Sequence, residues 1–303
     1  MPTPFWFVAC LWTLLQVVSA PAVAEELQIR RIHHWQWGTA AHTVTPSLPE
    51  EASPQGPSAL TSWQGRVWLL DTAGQRLLYG VPGQPFAALA IPTSWAEDVQ
   101  ITVDGIWLLQ RGGPDTGLWQ LPHGSTTWRH HTLPGGVPSG RWTALLQTAH
   151  GQLVLERDHA ATHVVDPTQE LETRGAERGR PAFKANQWLA LEPAVRRNTV
   201  WLRTWSAHHL EQEQILTLQN PWRLLRDLVP ARSASWVVWD GPTTDSDSLR
   251  WVLHVDNKGQ QRQVPVCPAN GPWQQLRVAT LHNHRLLVVC PQQSGVDLLE
   301  VVP

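Results

Sequence analysis

The chain has 303 residues, with 23 basic and 25 acidic side chains and a formal net charge of −2. A balance this close gives no argument for a phosphate-binding surface or a membrane-seeking basic face. At this length the chain holds one large domain or two ordinary ones, and all-β folds of the size are commonly single.

The first 24 residues carry no charged side chain. Phe5-Trp6-Phe7-Val8-Ala9-Cys10-Leu11-Trp12 and Leu14-Leu15 make an apolar core, and Ala22-Val23-Ala24 precedes Glu25-Glu26. That order fits a secretory signal over residues 1–24; an uncleaved anchor is the competing reading. No later stretch is long and apolar enough to cross a bilayer, so the exported chain is expected in the periplasm or outside the cell, without a membrane span. Residues 25–37 alternate as a strand does, and 45–57, rich in Pro, Ser and Glu, read as an extended connector. These fill residues 25–59 and leave 60–303 as the main domain.

From Leu60 onward a short apolar strand recurs. It reads Val67-Trp68-Leu69-Leu70, Ile106-Trp107-Leu108-Leu109, Leu153-Val154-Leu155, Val200-Trp201-Leu202, Arg250-Trp251-Val252-Leu253 and Leu286-Leu287-Val288-Val289. The mean spacing is roughly 44 residues, the length of one four-stranded blade. An all-β fold, a six-bladed β-propeller, is the expectation. Turns fall at Gln64-Gly65, Ala73-Gly74, Asp104-Gly105, His150-Gly151, Arg197-Asn198 and Asn283-His284, and such turns set strand register. A longer hairpin from Asp240-Gly241-Pro242 to Ser248 takes up the extra length of the fifth unit.

A second recurrence runs through Trp95, Trp142, Trp188, Trp236 and Trp273, each 12 to 15 residues before its anchor. These rings are expected to fill the wedge between neighbouring blades, the sharper alternative being a Trp-lined ligand mouth. Cys267 and Cys290, in the similar contexts Val-Cys-Pro, are an even pair in an exported chain and are expected to form a disulfide between the last two blades. The last unit stops after its third strand, Val296 to Val302, while the N-terminal strand lacks a partner. If that strand supplies the missing outer position, the ring closes and its most exposed edge disappears.

At Gly65-Arg66-Val67-Trp68-Leu69-Leu70-Asp71-Thr72-Ala73-Gly74-Gln75-Arg76-Leu77 the chain resembles an NHL repeat: Gly, an apolar strand, Asp-Thr, a tight turn, then Arg and another strand. The other five units keep the strands and lose the Asp and Arg. The resemblance implies a propeller over 60–303, and propellers of that family are mostly interaction platforms, with some enzymes among their relatives. A gluconolactonase-like metal hydrolase would need acidic and Asn ligands in the central channel. Asp98, Asn186, Asp240 and Asn270 are side chains of that type, but the Glu-Gly-Pro opening of that family is missing. Sialidase boxes leave only the remnant Gly124-Ser125-Thr126-Thr127-Trp128, and quinone-dependent repeat motifs are not found.

Of fourteen histidines, ten fall in five pairs: His33-His34, His130-His131, His208-His209, His282 with His284, and His159 with His163. Adjacent strand residues point to opposite faces, so a His-His pair cannot chelate alone, and the group reads as surface or hydrogen-bonded imidazoles. There is no Gly-x-Ser-x-Gly elbow and no phosphate loop: Gly112-Gly113 and Gly135-Gly136 are isolated turn pairs.

No catalytic residue and no metal-ligand set is therefore singled out. A binding surface is expected around Trp95, Asp98, Arg141, Trp142, Asn186, Trp188, Trp236 and Asp240, with Trp and Arg as anchors. The leading expectation is an exported, monomeric, non-catalytic platform for a protein or envelope component, without nucleic acid and without a cofactor. The alternative is a metal-dependent lactonase or esterase with a divalent ion in the channel.

Overall fold

The computed structural model describes residues 26–40, 42–46, 57–133, 141–158, 161–165, 173–206, 209–242, 248–269 and 277–303. Residues 1–24, read above as a secretory signal, residues 47–56 of the expected connector, the Gly135-Gly136 pair, His159, His208, Asn270 and Trp273 lie outside them. The described residues contain no α-helix and form six four-stranded antiparallel sheets.

Strand β1 (Gln28–Gln36) comes first in the chain. The first blade, from the axis outward, is β2 (Ala59–Trp63), β3 (Arg66–Asp71), β4 (Arg76–Gly80) and β5 (Ala87–Ala90). The second is β6 (Ala96–Thr102), β7 (Gly105–Gln110), β8 (Gly117–Pro122) and β9 (Arg129–Thr132). The third is β10 (Trp142–Gln147), β11 (Leu153–Arg157), β12 (Ala161–Val165) and β13 (Thr173–Arg178). The fourth is β14 (Arg180–Pro181), β15 (Gln187–Pro193), β16 (Thr199–Ser206) and β17 (His209–Thr217). The fifth is β18 (Leu224–Pro230), β19 (Ala234–Pro242), β20 (Ser248–Asp256) and β21 (Gln261–Pro268). The sixth is β22 (Ala279–His282), β23 (Arg285–Gln292) and β24 (Gly295–Val302), with β1 antiparallel to β24 on the outside from Gln28↔Val302 to Gln36↔Gly295. The chain is thus a six-bladed propeller. The end at which the innermost strands begin is called upper, and the opposite end lower.

Burial explains the apolar runs. A second strand is covered on both faces by neighbouring blades, so β3, β7 and β19 are buried almost throughout. Outer strands face solvent: β5, β9 and β17 are mostly exposed. This also corrects two of the anchors. Trp201 and Trp251 lie in β16 and β20, the third strands of their blades; the second strands there carry Trp188 and Trp236. In the fifth blade β20 is buried nearly as fully as β19, so two apolar runs compete for the same label. The Asp240–Ser248 hairpin accordingly joins second and third strands.

An exposed edge is a template for unwanted pairing. The edge of β17 is covered by side-chain amides from the next blade. Gln261 accepts from Thr217 N at 3.1 Å and donates to Ile215 O, while Gln263 accepts from Gln219 N at 2.7 Å and donates to Thr217 O. Each amide mimics a strand residue and satisfies two edge groups.

The disulfide joins Cys267 on β21 to Cys290 on β23, with Cα atoms 6.1 Å apart and both residues buried. It ties the outer strand of the fifth blade to the second strand of the sixth. Closing a separation of 23 residues removes unfolded-state entropy worth about 3 kcal/mol. The double variant Cys267→Ala/Cys290→Ala is therefore expected to lose about that much stability by urea titration. A loss below about 1 kcal/mol would mean that the interface between these blades is held by packing alone.

Candidate functional site: the two ends of the ring

The residues proposed from sequence divide between the two ends. Trp95, Asp98, Arg141, Trp142 and Asp240 stand at the upper end, where innermost strands begin and second strands finish. Asn186 sits in the lower turn between β14 and β15, in left-handed backbone conformation at φ 58°. Trp188 and Trp236 start their second strands just above that end. They do not form one surface. Trp142, Trp188 and Trp236 are buried, whereas Trp95 is 54% exposed and lies against Gly113. Arg141 is exposed and pairs with Asp158, Nε donating to Oδ1 at 3.0 Å. The five tryptophans are therefore not one repeated position: Trp95 precedes an innermost strand, Trp142 is within one, and Trp188 and Trp236 are in second strands.

Asp98 and Asp240 belong to a buried belt of four arginines and four carboxylates. A bulge between Ala96 and Asp98 aims the Asp98 carboxylate along the ring. Its Oδ1 accepts from Val99 N and from Arg277 Nε, each at 2.7 Å, and its Oδ2 accepts from Leu145 N of the third blade at 2.6 Å. Arg277 pairs with Ala59 as an isolated bridge, then reaches past the first blade to Asp98, to Gln100 Oε1 at 3.1 Å and to Val99 O. One ion pair thus connects the sixth, first, second and third blades. Burial pushes the Asp98 carboxyl up, and Arg277 with the two amides pulls it back.

Arg180 does the same work on the other side. Its Nε and Nη2 donate to the two oxygens of Glu156 in the third blade, at 2.6 and 3.1 Å. Nη1 donates to Asp227 and, at 3.1 Å, to Leu228 O in the fifth. Burial opposes this charge, yet Glu156 and Asp227 together hold the Arg180 pKa above its ordinary value. Gly179 lets the backbone pass: at φ 83°, a Cβ there would collide with the Leu189 carbonyl. Asp240 receives Arg226 on Oδ2 and Arg250 on Oδ1, and Arg250 Nη1 donates to Val289 O of the sixth blade at 2.9 Å. The belt closes the circuit of blades. In the first blade a separate clasp holds Asp71, which accepts from Arg76 Nε at 2.8 Å and from Thr45 N.

Sequence reasoning missed Arg180, Arg226, Arg250 and Arg277. Their one signal is an arginine at or near the leading edge of an apolar strand; Arg180 and Arg277 find their carboxylates in other blades, while Arg226 and Arg250 share Asp240 of their own blade.

Several histidines pack on tryptophan. His131 meets Trp107, His163 meets Trp142, and His254 meets Trp236 at 4.5 Å between centroids. Burial lowers the pKa of His33, His131, His163 and His282, and burial with Arg262 brings His254 down to about 4. The unfolded chain takes up these protons near pH 6.5 while the folded chain resists, so stability is full above that pH and falls from 6.5 toward 4. His254 alone accounts for up to about 3 kcal/mol of that loss. The expected observation is a Tm that drops across this window, with a shallower drop in His254→Gln; an unchanged slope in that variant would contradict the assignment.

Carboxylates held this way are poor metal ligands. Both oxygens of Asp98 and both of Asp240 already accept from arginine or backbone donors. Among the described residues no three His, Cys, Asp or Glu side chains converge on a point that could hold an ion. Exposed large apolar side chains among those residues are uneven between the ends: Ile29, Val81, Val103, Phe183 and Leu210 are lower, Trp95 and Val195 are upper, and Ile215 is on the rim.

No protein family matches the chain by sequence, and neither does any curated protein. Similar solved structures include a virginiamycin B lyase from Staphylococcus aureus, at 8% identity and TM-score 0.48, covering 92% of this chain and 100% of that one. Another is a protein described as exported, from Bacteroides fragilis, at 8% identity and TM-score 0.49, covering 91% and 95%. BBS1N, solved in complex with ARL6DN, aligns at 10% identity and TM-score 0.44 over 90% and 98%. Their functions differ, and likeness at this level leaves activity open.

Proposed function

We propose that the chain is a non-catalytic propeller platform that docks a protein of the cell envelope. The observation that carries the reading is the belt: the upper-end acids Asp98 and Asp240 have both oxygens engaged by arginine or backbone donors, and Glu156 and Asp227 are paired to Arg180, which supports a structural role for them over one as bases or ion ligands. Rigid rings suit recognition because loops at either end vary without cost to the scaffold. The weighting of exposed apolar side chains supports a docking face at the lower end. Upper-end Trp95 and Arg141 remain the competing anchors. The NHL likeness of the first blade and the disulfide support a platform in an oxidising compartment.

The test is cross-linking in the native envelope, comparing the wild-type chain with Val103→Glu/Phe183→Glu and with Trp95→Ala. Loss of the adduct in the first variant only supports the lower face, and loss in the second only moves docking to the upper end. An adduct that survives both, together with a rise in Tm on adding Ca²⁺, Mn²⁺ or Zn²⁺ and ion-dependent esterase or lactonase turnover, would replace the platform with the hydrolase reading.

A further inference from the structure

At the lower end an open cleft of about 530 Å³ lies between the sixth and first blades. Glu300 of β24, itself buried, forms one side. A single oxygen, Oε2, accepts from Arg30 Nε of β1 and from Arg285 Nη1 of β23, the second at 3.0 Å. Two guanidinium groups thus share one carboxylate, and this part of the cleft keeps an excess positive charge. Both arginine side chains stay open to solvent, 62% and 44% exposed, so each has N–H groups beyond the one used on Glu300. The facing wall is apolar, from Ile32 of β1 and from Val81-Pro82 after β4. Asn283 completes the rim: held at φ 48°, it places its side-chain amide 3.2 Å from His282 Nε2.

We infer that this cleft binds a small organic oxyanion, a carboxylate or phosphate ester carrying a short apolar body. Guanidinium groups match the geometry of both oxyanions, and Arg30 and Arg285 converge on one point from separate strands. The apolar body lies on Ile32, Val81 and Pro82, which gives the mix of an apolar wall and a few placed polar groups that small-ligand sites share. The site is also the seam of the ring. β1 and β24 stand on one side and the first blade on the other, so an occupant bridges them and stabilises the folded state. The inference stands apart from the docking reading and does not need it.

The probes are hexanoate, hexyl phosphate and neutral hexanol, titrated calorimetrically into the purified chain, with Tm as a second readout. Both anions are expected to bind and to raise Tm, and hexanol is not. Arg285→Gln is expected to weaken anion binding about tenfold or more. That variant leaves Arg30 on Glu300, so no buried carboxylate is stranded; Arg30→Gln, with Arg285 retained, is the second variant should the first misfold. Arg129→Gln, on the exposed β9, is expected to leave affinity unchanged. Failure of both anions to bind at millimolar concentration overturns the inference. So does equal binding of hexanol, which would mark an apolar cleft only, or undiminished binding in the folded arginine variants.

Discussion

Arg180→Met is expected to lower the unfolding free energy by about 3–5 kcal/mol, the cost of removing one partner from a buried ion pair. Methionine retains most of the apolar volume, so the loss comes from the charge. Glu156 and Asp227 would each lose their guanidinium while staying buried, and blades three and five would lose their shared contact through the fourth. Urea titration at pH 7 reads the loss as a shift in midpoint. Adding Glu156→Gln and Asp227→Asn to the same chain removes the stranded charges and is expected to recover a large part of the stability, because replacing all partners of a buried charge cluster is far milder than removing one. A triple variant no more stable than Arg180→Met would mean that the guanidinium acts through packing rather than charge.

Asp98→Ala is expected to cost a similar amount, about 3–5 kcal/mol. The carboxylate satisfies Arg277 and two backbone amides, Val99 N and Leu145 N, all buried. Alanine leaves a guanidinium and two N–H donors competing for fewer acceptors. Asp98→Asn is expected to recover little: one of its two terminal atoms becomes a donor and meets either Arg277 or an amide. Arg141→Ala is the matched surface control at the same end, and its exposed pair with Asp158 predicts an unchanged midpoint. Equal effects of Asp98→Ala and Arg141→Ala would remove the belt from the account of ring rigidity.

The blade number was legible because second strands are buried on both faces and so appear as apolar runs at blade spacing. The spacing survived two misplaced anchors. Trp201 and Trp251 are one strand too far along, but errors in the middle of a series leave its mean unchanged when the first and last anchors, Trp68 and Leu287, are placed correctly. The tryptophan recurrence is less secure: the misplaced anchors Trp201 and Trp251 bring Trp188 and Trp236, which lie in second strands, into one series with Trp95 and Trp142 at innermost strands.

Local chemistry therefore determined what the sequence settled by itself. Alternation and burial define the strands, turn residues bound them, and two cysteines in matching strand-end contexts identify the disulfide between the fifth and sixth blades. The belt was decided only by tertiary structure. Arg277 and Asp98 stand 179 residues apart and Arg180 and Asp227 stand 47 apart, so no local spacing connects them. The curvature of the ring brings innermost strands from different blades together at one end. A buried charge there persists only where an opposite charge meets it, and for Arg180 and Arg277 a different blade supplies it. The same closure sets Arg30 beside Arg285, at opposite ends of the chain, on one carboxylate oxygen.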